Sequence, residues 1–290
     1  MYKACKTMAL HPSLTGFLAH TIVRFKLVRY GENILHRLSM LYLAVLYSTP
    51  KFIRRRLPLL DRKIEELCNT LARKTVVNVN GIKFALIDYE SMRIVLPELH
   101  EKWMWDYLKV KSGDVFLDVG AHVGKYVLQI ARDVGENGLI IAIEPNPENY
   151  AVLVKNIRMN KTENILALNI AAWNEDCKIE LFTGVAGGQH SLKRKAKLGS
   201  VVIEARALDN VLKGIDVDLV KIDVEEAEVE VLQGLENTLK KCRPKVVMET
   251  FETNLETVKK FMIQLGYNIM PIHASEFEKG IYLYCRPQNS

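Results

Sequence analysis

The residues of this chain best suited to chemistry are carboxylates set at the ends of buried apolar runs, one of them beside glycines. The run VFLD is followed by VGAHVG, which puts Asp118 at the carboxyl end of a predicted strand and Gly120, Ala121 and Gly124 in the turn that opens the next helix. In an open α/β sheet, ligands bind at that edge. Glycine admits close backbone approach, and a helix amino terminus offers unpaired N–H groups to a carboxylate or phosphate. The spacing is DxGxxxG, without the middle glycine of the dinucleotide pattern GxGxxG, so NAD is the weaker candidate. The next predicted strand, LIIAI, ends in Glu144, twenty residues past Gly124, where an acid can accept hydrogen bonds from both ribose hydroxyls of an adenosine. A glycine turn alone describes only a strand-to-helix connection; the turn and the terminal acid in register describe a nucleoside held at both ends.

A second group of acids lies further along the chain. VKIDVEEAEVEVL places Asp223 at another predicted strand end, with Glu225 and Glu228 three apart on one predicted helical face and Ala227, Val231 and Leu235 on another. Asp223 is the first candidate for a base or acceptor ligand. Glu225 and Glu228 serve either the acceptor side or only the electrostatics of the helix start. Glu249 ends a further strand and could meet acceptor hydroxyls. In the polar loop GGQHSL, ahead of the basic run from Lys193 to Lys197, His190 is either a mobile acceptor-side base or a solvated histidine, with Ser191 beside it. No metal site is assigned and a divalent cation is only weakly signalled: carboxylates near a helix start are common without one, and Cys5, Cys68, Cys177, Cys242 and Cys285 are scattered, with no CxxC pair and no histidine at ligand spacing.

These residues need a scaffold, and the composition supports one. With 290 residues, 49% of them apolar, the chain can fill a sizeable core, which excludes wholesale disorder; no heptad or longer repeat recurs, which excludes fibrous and solenoid forms. Predicted strands at 115–118, 139–143, 165–170, 218–222, 245–249, 267–272 and 280–286 alternate with helical stretches. The pattern predicts an α/β fold with a Rossmann-like, seven-stranded, mostly parallel sheet and an antiparallel last strand, preceded by an N-terminal helical extension. Three segments follow: 1–75, basic and helical; 76–110, a β-hairpin turning at Asn80 and Gly81 and then a lead-in helix over 99–110 carrying Trp103 and Trp105; and 111–290, the α/β domain. In the first segment, 34–47 is dense in Leu, Met and Tyr, and Asp61 is the expected cap of a helix running through Leu71.

The charge is unevenly spread. The first 60 residues hold ten basic side chains against Glu32 alone, so they carry +9 of a net +6 and the remaining 230 residues carry −3. Such a segment suits an anionic membrane surface, nucleic acid, or packing on the catalytic domain or a partner. Nucleic acid is the weakest of these, because no RNA-recognition motif or zinc pattern accompanies it. The cysteine usage and the lack of a long apolar span point to a cytoplasmic protein, peripheral to a membrane if the basic segment binds one.

Taken together, VFLDVGAHVGKY, IAIEPNPENY, NIAAW, the LDNVL segment after Arg206, and LVKIDVEEAEVEVLQGL with PKVVMET after it resemble the FkbM family of class I S-adenosylmethionine-dependent methyltransferases, over about 103–250 and in the family's order. The resemblance implies that 111–290 is a methyltransferase domain using S-adenosylmethionine, with O-methylation of a sugar or glycan-containing small-molecule acceptor as the expected reaction. It further implies that Asp118, Gly120, Ala121 and Gly124 line the methionine and ribose end of the cofactor, that Glu144 holds the ribose, and that Asn169 and Ala171 lie near the adenine. Two departures fall on the acceptor side: Glu226 stands where the family often has glycine, and GGQHSL is all that represents its serine-rich loop. An RNA methyltransferase, and a non-catalytic module that binds the cofactor for assembly, are the alternatives.

Overall fold

The computed structural model describes residues 25–47, 56–97, 99–182, 199–272 and 280–288. The chain divides between Met92 and Arg93 into two compact units. In the first, α1 (Ile34–Tyr47) and α2 (Pro58–Arg73) precede a hairpin of β1 (Val76–Val79) and β2 (Ile82–Ala85), after which α3 (Tyr89–Val95) crosses the boundary. Asn80 and Gly81 both take positive φ, 53° and 85°, the pair of angles that a tight hairpin turn requires. Asp61 does not cap α2. The helix starts at Pro58, whose fixed φ suits a first helical position and whose missing N–H is no loss there, so Asp61 falls inside the first turn, where its charge suits the helix start.

The expected lead-in helix over 99–110 is a single 3₁₀ turn, Lys102–Asp106. Trp103 packs on Tyr282 with ring centroids 4.7 Å apart, and Trp105 on Tyr126 at 5.1 Å. Side chains two apart do not share an α-helical face, so a regular helix could not bury both rings in one cluster.

The α/β unit runs through β3 (Val115–Val119), α4 (Lys125–Val134), β4 (Leu139–Ile143), α5 (Pro147–Asn160) and β5 (Ile165–Leu168). It then forms β6 (Ala171–Trp173), β7 (Cys177–Phe182), β8 (Ser200–Ala207), α6 (Leu208–Val211), β9 (Leu219–Ile222), α7 (Glu228–Gly234) and α8 (Glu236–Cys242), and closes with β10 (Lys245–Thr250), α9 (Glu252–Gln264), β11 (Tyr267–Ile272) and β12 (Ile281–Pro287). Seven strands of the described chain form the main sheet in the order β11-β12-β10-β9-β3-β4-β5. Every pairing is parallel except those made by β12. Apart from Asp118 and Lys221 the inner strands β3, β4 and β9 are apolar, because helices cover both faces, and they bury almost every residue. The chain order reverses at β3, with β4 on one side and β9 on the other, and this opens a crevice at the carboxyl edge.

The strand expected over 165–170 stops at Leu168, because the chain leaves the main sheet for a second, three-stranded one ordered β6-β8-β7, which the alternation of strands and helices did not anticipate. Gly234, at the end of α7, lies against this sheet so closely that a Cβ there would overlap the Trp173 carbonyl oxygen. Gly234→Ala is therefore expected to lower stability by about 1–3 kcal/mol in urea unfolding, as overpacking does; an unchanged midpoint would show that the contact is not tight.

Candidate active site

The site is built at the carboxyl edge, where β3, β4, β9 and β10 end. The glycine turn is pinned from below: the N–H groups of Gly120 and Ala121 both donate to the Ile143 carbonyl, at 2.9 and 3.0 Å. Gly120 and Gly124 have φ of 89° and 92°, a region that disfavours side chains. A Cβ at Gly120 would also overlap the carbonyl oxygen of Asp223, so the turn and the end of β9 touch through backbone.

Glu144 ends β4 and is buried. Its Oε2 accepts from the His122 N–H of the glycine turn at 2.7 Å, and its Oε1 from the Asn146 N–H at 2.9 Å and the Asn149 amide at 3.3 Å. The stretch IEPNPENY folds this way because Asn146 caps α5, accepting from the N–H groups of Glu148 and Asn149, with Pro147 at the first helical position. Burial pushes the Glu144 carboxyl up to about 7 despite these donors. Asn169 donates to the carbonyls of Glu144 and Pro145 at 2.8 and 3.0 Å and so locks the end of β4. Ala171 is buried in the second sheet, paired with Ala205.

Asp118 and Lys221 stand opposite one another on β3 and β9, both buried. The Lys221 ammonium lies 3.3 Å from Asp118 Oδ1, 3.3 Å from Asp223 Oδ2 and 3.4 Å from the Gly120 carbonyl, with the Tyr126 ring 5.3 Å away. Burial alone would lower the lysine, but Asp118, Asp223 and Glu101 outweigh it and hold the ammonium above its ordinary range. Burial raises Asp118 to about 6 against the pull of Lys221, and its Oδ2 has no hydrogen-bond partner. Asp223 is the more open end of the chain of charges, 31% exposed. Glu249, on β10, hydrogen-bonds to it and is pushed far above the carboxylate range, first by burial and then by the Asp223 charge. Glu249 is thus a neutral acid donating to the Asp223 carboxylate at neutral pH.

Glu225 and Glu228 do not share a helical face. Glu225 and Glu226 take positive φ, 49° and 79°, in a turn ahead of α7, which starts only at Glu228. Glu228 is fully buried and accepts from the Glu226 N–H and the Asn254 amide, each at 2.7 Å, so its carboxylate braces this turn. His190, Ser191 and the Lys193–Lys197 run lie outside the described residues. Among the described residues, no group of three or more His, Cys, Asp or Glu side chains is arranged to hold a metal ion.

Two members of the site escape the sequence reading. Lys221 carried a signal, since a lysine inside the apolar run LVKI must find a buried counter-charge. Glu101 carried none. It is buried in a left-handed backbone conformation, φ 44°, accepts the hydroxyls of Tyr126 and Tyr282, and pairs with His100 at 3.3 Å.

Sheet order and crevice define a Rossmann-like α/β domain with acids at its carboxyl edge. The chain belongs to the FkbM methyltransferase family: the family model of the methyltransferase FkbM domain matches residues 118–269. Methyltransferase sdnD of Sordaria araneosa is 24% identical over 212 residues, 61% of this chain and 82% of that protein. The hexuronic acid methyltransferase AglP of Haloferax volcanii is 28% identical over 180 residues, 61% of this chain and 69% of that one. Among solved structures, the methyltransferase FkbM of Methylobacillus flagellatus superimposes with a TM-score of 0.50 at 14% identity. That match covers 92% of this chain but only 59% of the other, and it speaks for the fold alone.

Two outcomes follow from the buried charges. Lys221→Met leaves Asp118 and Asp223 without their ammonium and is expected to cost about 3–5 kcal/mol in urea unfolding, part of it regained in the Lys221→Met/Asp118→Asn pair; no loss in the single variant would mean that the pair is solvated. For Glu144, the folded value of about 7 lies above the ordinary 4.5, so its contribution to stability is whole below pH 4.5 and is lost as pH rises through 7. Glu144→Gln is expected to escape that loss, gaining on the wild type by up to about 3 kcal/mol between those limits; parallel stability–pH curves would contradict this.

Proposed function

We propose that this methyltransferase transfers the methyl group of S-adenosylmethionine to a hydroxyl of a sugar or glycan-containing acceptor. One observation carries the reading: Glu144 and Asp223, from strands on either side of β3, both meet the same glycine turn, Glu144 through the His122 N–H and Asp223 through its carbonyl against Gly120. The donor and acceptor chemistry fits the cofactor. A carboxylate offers about four acceptor positions, and Glu144 uses three on protein donors. Asp118 Oδ2 is a buried acceptor with no partner among the described residues. On this reading Glu144 offers its remaining acceptor position to the ribose, and Asp118 with Gly120, Ala121 and Gly124 lines the methionine and ribose end. Asn169 and Ala171 serve the adenine side, Asn169 by fixing the end of β4.

When bound, S-adenosylmethionine supplies a methyl already activated on a sulfonium sulfur. What remains for the protein is to align the acceptor, an effect that can supply about 7–11 kcal/mol, and to take the proton the hydroxyl sheds, typically about 10² to 10⁴ in rate. Asp223 takes that proton. Lys221 holds one of its oxygens and Glu249 hydrogen-bonds to it, which fixes the position of the carboxylate at the edge of the crevice. The carbohydrate acceptor draws support from the hexuronic acid methyltransferase among the relatives.

The test is transfer of a tritiated methyl from S-adenosylmethionine to fractionated glycans and to RNA, with label expected in the glycan pool. Label confined to RNA would refute the acceptor assignment, and cofactor binding without label in either pool would make the protein an assembly module. Asp223→Asn is expected to lower kcat about 10² to 10⁴-fold with little change in cofactor Kd. Glu144→Ala, losing hydrogen bonds to a charged group worth about 1.5–3 kcal/mol each, is expected to weaken cofactor binding ten- to a hundredfold or so by calorimetry. Because the Glu144 carboxyl ionises at about 7, wild-type affinity should tighten as pH rises through that value, and in Glu144→Gln it should not.

A further inference from the structure

We propose that α1 seats the protein on an anionic lipid bilayer. The helix is apolar on two opposite sides. Met40, Leu43 and Ala44 are buried within the first unit. On the other side Ile34, Leu35, Leu38, Leu41, Tyr42 and Val45 recur at helical spacing and stay between 38% and 69% exposed. At about 100° per residue these six span roughly a third of the helix circumference, a continuous stripe rather than scattered surface residues. Scattered exposed apolar side chains need no explanation, whereas a contiguous stripe of this kind marks an interaction face. Leu57 and Leu59, at the start of α2, are also exposed, at 51% and 80%.

Charge decides the occupant. Lys26, Arg29, Arg37 and Arg56 are exposed in the same unit, and the first 60 residues carry ten basic side chains against one acid. A second copy seated on this face would bring two such segments together, whereas an anionic bilayer neutralises them. Geometry decides how the helix lies. Fourteen residues reach only about 21 Å, short of a hydrocarbon core of about 30 Å, and among the described residues no helix is long and apolar enough to cross a membrane. The stripe therefore lies along the interface with its side chains in the acyl boundary, as interfacial amphipathic helices do.

Co-sedimentation of the full chain with vesicles of phosphatidylcholine, with and without phosphatidylglycerol, tests the proposal. Binding is expected on the anionic vesicles, weakening as salt rises. The Leu38→Glu/Val45→Glu variant should bind at least about tenfold more weakly while keeping its thermal midpoint, because both positions are exposed. No partition onto phosphatidylglycerol vesicles at low salt would overturn the proposal, as would equal binding by the variant. A concentration-dependent dimer seen by light scattering and dissolved by the same substitutions would assign the face to a second copy instead, and would overturn it too.

Discussion

One ammonium group holds the carboxyl edge of the sheet together. Lys221 emerges from the middle of an apolar strand and contacts a carboxylate on its neighbour, a carboxylate at the end of its own strand and a carbonyl of the glycine turn. None of these partners could be buried alone: an isolated carboxylate in such a place costs several kcal/mol or neutralises. The lysine is the condition under which Asp118 and Asp223 can both stand beside Gly120. It also explains why the turn and the end of β9 approach so closely that no side chain fits at that glycine. Geometry and electrostatics here are the same constraint.

The edge is nevertheless over-supplied with acids. Asp118, Glu144, Asp223 and Glu249 stand at one edge with a single buried lysine, which contacts only Asp118 and Asp223 of the four, and the chain resolves the excess in different ways. Glu249 keeps its proton and becomes a donor. Glu144 is spread over three donors and still rises to about 7, and Asp118 keeps one oxygen without a partner and rises to about 6. Groups whose ionisation is displaced by burial and by specific neighbours in a crevice are characteristic of working sites, since a fold with no ligand to bind would gain by replacing them.

Much of this was legible in the residues. All seven strands of the main sheet lie where the apolar runs put them, and the antiparallel last pair follows from the lack of a helical period between 267–272 and 281–287. The glycine turn and the acid at the end of β4 were readable because each has a local signature: a strand, a break and a helix start. What was missed depends on contacts distant in sequence. The second sheet brings β6 and β8 together across about thirty residues, although the alternating burial of β8 is a period-2 signal that could have been read. The turn after Asp223 looks helical in its EEAEVEV pattern, and only Asn254, from α9, and the buried Glu228 show why it is not. Glu101 was invisible because its partners, Tyr126 and Tyr282, lie 25 and 181 residues away.

Glu101 also gives the antiparallel strand a purpose. A parallel strand delivers only its last residues to the carboxyl edge, whereas β12 runs the other way and delivers its first ones. Tyr282 therefore sits across from Glu249 in register and sends its hydroxyl to Glu101. Just ahead of it Gly280 lies against the Glu249 carboxyl, which would have to move to admit a Cβ there. The same glutamate takes the hydroxyl of Tyr126, on α4, whose ring lies beside both Lys125 and Lys221. Glu101 thereby joins the helix that opens from the glycine turn to the strand that pairs with β10 beside Glu249. A methyl transfer needs donor and acceptor aligned along one axis, and a rigid link between the two halves of the crevice is what a parallel sheet alone would lack.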